Sequence, residues 1–368
     1  MRILHVFPDF KIGGSQVRFA MLAGTLGPEI SHTVIALNGN HTARQIVPLE
    51  ARVTYTTVPT EGSLLNRLRS YRKFLHDQAP DILVTYNWGA IEWALANILA
   101  RIPHIHMEDG FGPEETRRQL TRRVWTRRLS LFRSTLVVPS MTLRDIATRI
   151  WRVNSANVKY IPNGIPQRPA AQTQLSGLGL ELPEHLPRIA WVGALRAEKN
   201  PLRLLRAFAP LREKAVLVIL GDGPERSAIM AEAERLSLLP YIRLLGHRDD
   251  ARDIVMQCDI VALSSDTEQM PFVILEAMDA GLPIASVDVG DVRHMVSAEN
   301  RPFIVPLDDT ALTSAMENLL DDAALRATIG KANKARLREC YDVQSMTGQY
   351  SRLFESVRTS SNKHFAHV

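Results

Sequence analysis

Short apolar runs alternate along the chain with longer segments in which apolar positions recur every three or four residues. The runs Arg2–Phe7, His32–Leu37, Val53–Val58, Asp81–Tyr86, His104–Glu108, Thr135–Pro139 and Val158–Pro162 predict strands. A second series follows at Ile189–Gly193, Val216–Leu220, Ile242–Gly246, Ile260–Ser264, Ile284–Val287 and Phe303–Val305. Between them Gln16–Leu26, Leu64–Gln78, Ile91–Arg101, Leu202–Leu211 and Arg226–Leu236 carry the helical period. Strands that are apolar on both faces, separated by helices, predict parallel sheets covered on both sides. The final third is helical, over Ala311–Leu320, Ala324–Cys340 and a last segment from about Val343 to Val357.

The alternation breaks once. Residues 163–187 hold four prolines and three glycines and show no sustained period, which predicts a linker. The expected organisation is a first domain over 1–165, a linker over 166–187, a second domain over 188–340, a helix over 341–358 and a polar tail over 359–368. Both domains read as α/β, doubly wound and Rossmann-like. Ligands on such sheets bind beyond the carboxyl ends of the strands, so two facing domains predict a cleft between them.

The chain has 368 residues, 45% hydrophobic and 23% charged, the balance of a globular protein. It contains no apolar run of about 18 residues, the length that predicts a membrane span. The opening MRILHVFPDFKIGG lacks the features of a signal peptide and reads as a first strand. Two cysteines, Cys258 and Cys340, form no disulfide or zinc pattern and fit a reducing cytoplasm. Residues 1–166 carry 21 Lys and Arg against 12 Asp and Glu, while the remainder carries 23 against 27. The basic first half predicts an anionic partner there, or serves solubility alone.

Four segments at strand ends are candidates for chemistry. KIGGSQ (Lys11–Gln16) places Gly13 and Gly14 between a strand and a helix, where free backbone N–H groups suit an anion; a plain tight turn is the alternative. WVGALRAEKNP (Trp191–Pro201) places Arg196 and Lys199 in a loop after a strand, fit to grip a diphosphate or simply solvated. LGDGPE (Leu220–Glu225) sets Gly221, Asp222 and Gly223 in a turn for which a structural role is favoured. SSDTEQMPFVILEAMDAG (Ser264–Gly281) places Glu268 before a helix and Glu276 within it, in an otherwise apolar run. Pro271 suits the first helical position, and the amides after it face an anion. Vicinal hydroxyls of a ribose or hexose are good partners for the two carboxylates.

Glu268 and Glu276, seven residues apart and followed by EAMDAGLPIASVDVGDV, resemble the E-x7-E region of the family 4 retaining glycosyltransferases, enzymes of the GT-B fold. Gly13-Gly14, the VGAL…EKNP loop and the LGDGPE turn extend the resemblance over most of the chain. It implies two Rossmann-like domains, a nucleotide-sugar donor (UDP- or GDP-linked) held mainly by the second, and an acceptor mainly on the first. It implies that the last helix crosses back onto the first domain. Glu276 is then expected to bind the ribose and Glu268 the donor sugar. Met270, Pro271 and Phe272 are expected to face the diphosphate and sugar by their backbone, with Lys199 neutralising the phosphates. Gly14 is expected against the donor phosphate, and Asp222 to Pro224 near the base or as scaffold.

Two departures stand out. Ala194 follows Gly193 where the family often has arginine, and Arg196 is the inferred substitute. The family histidine position falls by spacing at Asp109 in IPHIHMEDGFGPEE, with His106 as second candidate and His104 as a core residue. No convincing D-x-D loop is present, so no cofactor and no essential metal are expected. The reading is a hexosyl transfer to a glycan or lipid-linked acceptor in cell-surface polysaccharide or glycolipid assembly. A sugar-nucleotide epimerase and a non-catalytic anion- or membrane-binding protein are the alternatives.

Residues 114–133, EETRRQLTRRVWTRRLSLFR, hold seven arginines among Leu120, Val124, Trp125, Leu129, Leu131 and Phe132. On a helical projection the apolar residues occupy roughly one half, and Arg122, Arg123, Arg127 and Arg133 the other. This predicts either an ordinary domain helix with its arginines in water or a peripheral contact with an anionic membrane, on the inner face of the plasma membrane. Nucleic acid is not expected, because the arginines cluster in one helix and no nucleic-acid-binding motif is present.

Overall fold

The computed structural model describes residues 1–111, 115, 119–167 and 186–365, with side chains as far as 359. Most of the expected linker, parts of the segment 114–133 and the last three residues of the tail 359–368 lie outside these described residues; the last helix continues to Phe365, seven residues beyond its expected end, because no helix-breaking residue interrupts 359–365. The chain forms two compact units. One comprises Met1–Asn163 together with the chain from Val343 onward, and the other comprises Gly164–Asp342.

In the first unit, strands β1 (Arg2–Phe7), β2 (Ser31–Ala36), β3 (Val53–Thr56), β4 (Ile82–Tyr86), β5 (His104–Met107), β6 (Thr135–Val138) and β7 (Val158–Tyr160) form one parallel sheet. Their order is β3-β2-β1-β4-β5-β6-β7. Helices α1 (Gly14–Thr25), α2 (Leu64–Gln78), α3 (Ile91–Ala100), α4 (Thr121–Ser130) and α5 (Met141–Arg149) connect them. In the second unit β8 (Arg188–Val192), β9 (Val216–Leu220), β10 (Ile242–Leu244), β11 (Ile260–Leu263), β12 (Ile284–Val287) and β13 (Ile304–Val305) pair in the order β10-β9-β8-β11-β12-β13. Helices α6 (Pro201–Phe208), α7 (Arg226–Arg235), α8 (Ala251–Val255), α9 (Phe272–Ala280), α10 (Val292–Met295), α11 (Asp309–Asp321) and α12 (Ala323–Cys340) belong to it. A last helix, α13 (Val343–Phe365), packs back onto the first unit.

Side chains of a strand alternate between faces, and β1 shows the result. Ile3 and Phe7 join Phe19 and Leu22 of α1 and Met346, Tyr350 and Phe354 of α13. Leu4 and Val6 join Tyr71 and Leu75 of α2 and Trp93 of α3 on the opposite face. Local signals set the helix ends. Ser140 caps α5 by accepting from Leu143 N at 3.0 Å. Asn200 caps α6 by accepting from Arg203 N at 3.0 Å, with Pro201 in the first turn. Gly281 closes α9 at φ 72, a left-handed conformation natural to glycine.

In each sheet the strand sequence runs outward from the first strand in both directions. The connections therefore reverse direction between β1 and β4, and between β8 and β11. Loops leave the carboxyl ends on either side of such a reversal and diverge, which opens a crevice for ligands.

Candidate functional site

In the second unit, the loop after β8 carries Lys199 and the loop after β11 carries Glu268. The two flank the reversal point and form an ion pair, Lys199 Nζ to Glu268 Oε1, of 2.5 Å. Ser265 Oγ donates to the same carboxylate oxygen at 2.8 Å. Ser264 Oγ donates to the Lys199 carbonyl at 3.1 Å and accepts from Trp191 Nε1 at 3.1 Å. Asn200 and Arg203 bind Asp266, so the two loops are tied side chain to side chain.

The neighbouring loops interlock through backbone. Leu195 N donates to Asp222 O and Glu225 N to Leu195 O. Gly221 has φ 136, and a Cβ there would meet the Gly193 carbonyl oxygen at 1.8 Å. Gly223, at φ 158, would meet Leu195 O at 2.5 Å. The LGDGPE turn therefore packs against the VGAL loop, with no space for side chains at either glycine. Gly290 plays a similar part after β12. At φ 55 it lies under the Glu268–Gln269 backbone, and Asp291 N donates to Gln269 O at 2.9 Å.

Helix α9 begins at Phe272, one residue later than the sequence suggests. Pro271 has φ −71 and ψ 130 and is the N-cap, because its extended ψ keeps it outside the helix. Glu276 lies one turn on, in the half-buried stripe of Phe272 and Val273, while Ile274, Leu275, Ala277 and Met278 face the core. The carboxylate thus leaves the apolar side of the helix to its neighbours. Met270 is buried, and the first amides of α9 lack intrahelical acceptors. Arg196 does not join Lys199 and Glu268. It is half exposed and pairs with Glu198 at 3.2 Å.

In the first unit, Gly13 is extended (φ −171) and precedes α1. Asp109, just after β5, is held bidentately by the guanidinium of Arg18, at 2.5 and 2.8 Å. Arg18 is 2% exposed and also donates to Asn163 Oδ1 at 3.0 Å. Asp109 N donates to Asn87 Oδ1 at 2.7 Å. Burial works against the Arg18 charge, and Asp109 overrides it, so the guanidinium is held more firmly charged than usual. Burial raises Tyr86 well above the usual phenol range and Tyr350 to about 12. Arg18 was not anticipated from sequence. Its placement in the run VRFAML posed the same conflict as Glu276, a charge among core residues, and that was the available signal.

His106 is fully buried. Its ring bonds Thr85 Oγ1 at 2.7 Å and lies 3.5 Å from Glu108 Oε2. Thr85 continues to His104, and His104 to Ser134. At the other end Arg127 Nε donates to Glu108 Oε2 at 3.3 Å and Arg127 Nη1 to Glu115 Oε1 at 3.3 Å. Arg123 Nη1 also donates to Glu115, at 3.0 Å. The rings of Trp151, Trp88 and Phe111 surround Arg127 at 4.6, 5.0 and 5.7 Å.

This corrects the helical projection of residues 114–133. Arg127 is fully buried and Arg123 mostly so, because Glu108 and Glu115 supply anions inside the unit. The exposed face carries Trp125 (62%), Leu129 (62%) and Phe132 (49%) instead. Arg128 lies over the Trp125 ring at 4.7 Å and Arg133 over Phe132 at 5.1 Å.

A family model described as glycosyl transferases group 1 matches residues 186–322, and a glycosyl transferase 4-like domain matches residues 13–164. The UDP-Gal:alpha-D-GlcNAc-diphosphoundecaprenol alpha-1,3-galactosyltransferase of Escherichia coli is 28% identical over 280 residues, 71% of this chain and 72% of that one. The N-acetyl-alpha-D-glucosaminyl L-malate synthase of Bacillus anthracis is 24% identical over 169 residues, 45% of this chain and 44% of that one. Among solved structures, Anabaena HepE in complex with UDP and glucose superposes with a TM-score of 0.83 at 20% identity, covering 97% of this chain and all of that one. At that identity the likeness shows a shared fold.

Proposed function

The chain belongs to the group 1, family 4-like glycosyltransferases of the GT-B fold, and from this we propose that it moves a hexose from a nucleotide-sugar to a glycan or lipid-linked acceptor. The observation that carries the reading is the Lys199–Glu268 pair at the strand reversal of the second unit, beside the start of α9. The donor lies there. Its diphosphate faces Lys199 and the backbone of Met270, Pro271 and Phe272, where a helix N-terminus favours negative charge. Glu276 accepts from the ribose hydroxyls and Glu268 from the sugar. Gly221, Asp222 and Gly223 hold the adjoining loop.

During transfer the bond from the sugar's anomeric carbon to the diphosphate oxygen breaks and its electron pair goes to the diphosphate, while the acceptor hydroxyl oxygen bonds to the anomeric carbon and its proton passes to the departing diphosphate. Lys199 and the α9 amides stabilise that charge without a metal; Arg196 adds to the field once released from Glu198. On the acceptor side Asp109 presents a fixed carboxylate. Arg18 grips both of its oxygens and fixes the orientation of the carboxylate. His106 stands behind it as part of the buried chain. The Escherichia coli relative acts on a diphosphoundecaprenol-linked sugar and the Anabaena protein holds UDP and glucose. Both favour a UDP-hexose donor here, and the Escherichia coli relative alone favours a lipid-linked acceptor.

A thermal-shift panel of UDP- and GDP-linked sugars tests the donor site, since a ligand of the folded form alone raises its stability. One donor class is expected to stabilise the protein, and Glu276→Ala to abolish the shift. An unchanged shift in Glu276→Ala refutes the ribose assignment.

No described helix is long and apolar enough to cross a membrane. For a peripheral contact at the cytoplasmic face, the exposed stripe Trp125–Leu129–Phe132 provides an apolar wedge, with Arg122, Arg128 and Arg133 beside it for anionic headgroups.

A further inference from the structure

We infer that Ser264 and Ser265, which directly follow β11, are positioning residues of the donor site: Ser265 anchors one oxygen of the Glu268 carboxylate and leaves the other for the sugar, and Ser264 holds the Lys199 backbone. The inference rests on the donor-site reading above. Both hydrogen bonds of Glu268, from Lys199 Nζ and from Ser265 Oγ, fall on Oε1. Oε2 has no hydrogen-bond partner among the described residues. Oε1 is therefore the anchored oxygen, and Oε2 is the one offered to a sugar hydroxyl.

Ser265 is fully buried at the end of a central strand, so its hydroxyl is a rigid support. Lys199 is a less steady one. Its side chain is 24% exposed, and its ammonium is drawn toward any diphosphate that arrives. When Lys199 turns to the phosphates, Ser265 alone keeps the carboxylate plane fixed. Ser264 secures the other partner through the backbone. It donates to the Lys199 carbonyl and is itself held by the Trp191 indole, which is 1% exposed. Gly290 completes the arrangement by leaving room for the Glu268 main chain, whose carbonyl oxygen would lie 2.5 Å from a Cβ. Side chain and backbone of one residue are thus fixed from three strand ends.

The test compares Ser265→Ala, Ser265→Thr, Glu268→Gln and the double variant Ser265→Ala/Glu268→Gln in the full chain. The probes are UDP-glucose and GDP-mannose with the matching nucleoside diphosphate, whichever pair stabilises the wild type. Ser265→Ala is expected to lower kcat/KM about ten-fold, the size of one hydrogen bond to a charged group. Its affinity for the nucleoside diphosphate, which Glu268 does not touch, stays within about two-fold. Ser265→Thr keeps the hydroxyl and most of the activity. The double variant is no worse than Glu268→Gln alone, because Ser265 acts through Glu268. Loss of activity in Glu268→Gln with none in Ser265→Ala overturns the inference and leaves the donor site standing. Equal loss of diphosphate binding in Ser265→Ala also overturns it, since that marks general damage to the loop. A wild type stabilised by neither donor, or unaffected by Glu268→Gln, overturns the donor-site reading itself.

Discussion

Replacing Arg127 with methionine removes a cation that the buried carboxylates of Glu108 and Glu115 share in the first unit. Its guanidinium lies 3.3 Å from Glu108 and 3.3 Å from Glu115, with all three side chains at 0% exposure. Glu115 retains Arg123 after the change. Among the described residues Glu108 then retains only His106, at 3.5 Å, and its Oε1 has no hydrogen-bond partner. Breaking a buried pair from one side costs about 3–5 kcal/mol, because the remaining charge stays desolvated. Contacts with the three surrounding rings are lost as well, although methionine fills part of the space. At about 2–4 °C per kcal/mol for a unit of this size, melting of the first unit falls by roughly 6–20 °C. Calorimetry is the suitable assay, since it resolves separate transitions within a chain of two units where they occur. Arg122→Met, at an exposed position of the same helix, is the control and is expected within about 0.5 kcal/mol of wild type. Adding Glu108→Gln to Arg127→Met removes the stranded charge and restores part of the loss. Equal melting of Arg127→Met and Arg122→Met refutes the reasoning, and with it the claim that this arginine belongs to the interior and not to a lipid-facing surface.

Four further outcomes follow from the same structure. Burial lowers His5 well below its usual range, His32 to about 4 and His104 to about 3. Each is neutral when folded and protonates near pH 6.5 when unfolded, so stability is full above that value. It falls as pH drops from about 6.5 toward 4 and 3; denaturant midpoints across this range check the slope, which is expected to flatten in His104→Gln. Gly290→Ala forces a side chain onto the Glu268 carbonyl at positive φ, and is expected to lose roughly 1–3 kcal/mol in urea unfolding together with donor turnover. Ser substitutions at Trp125, Leu129 and Phe132 are expected to abolish co-sedimentation with anionic liposomes at unchanged melting temperature; retained binding contradicts the apolar wedge. Turnover is expected to survive chelator, and complete loss contradicts metal-independent transfer.

The strands were legible from sequence because a parallel sheet buries both faces, so runs such as Val216–Leu220 are apolar at every position. All thirteen expected strands are present, most within one or two residues of their expected ends. The shortest helices, Ala251–Val255 and Val292–Met295, span too little for a period to register. Glu268, Glu276 and Lys199 were legible as candidates because charged residues at strand ends and helix starts break an apolar pattern.

The direction of the α4 arginines was not legible. A helical projection ranks side chains by polarity alone, and it assigned Arg127 to water. Glu108 and Glu115 reverse that assignment, since a cation among carboxylates and aromatic rings is at home in the interior. Arg18 is the same case, its partner Asp109 being 91 residues away. The sequence by itself determined the order of strands and helices and the doubly wound class, and it marked the candidate charged residues, because these depend on local periodicity and composition. Only the tertiary structure decided which charges are paired inside, which oxygen of Glu268 is anchored, and which face of α4 meets solvent. Those depend on groups brought together from distant strands, and no local pattern records them.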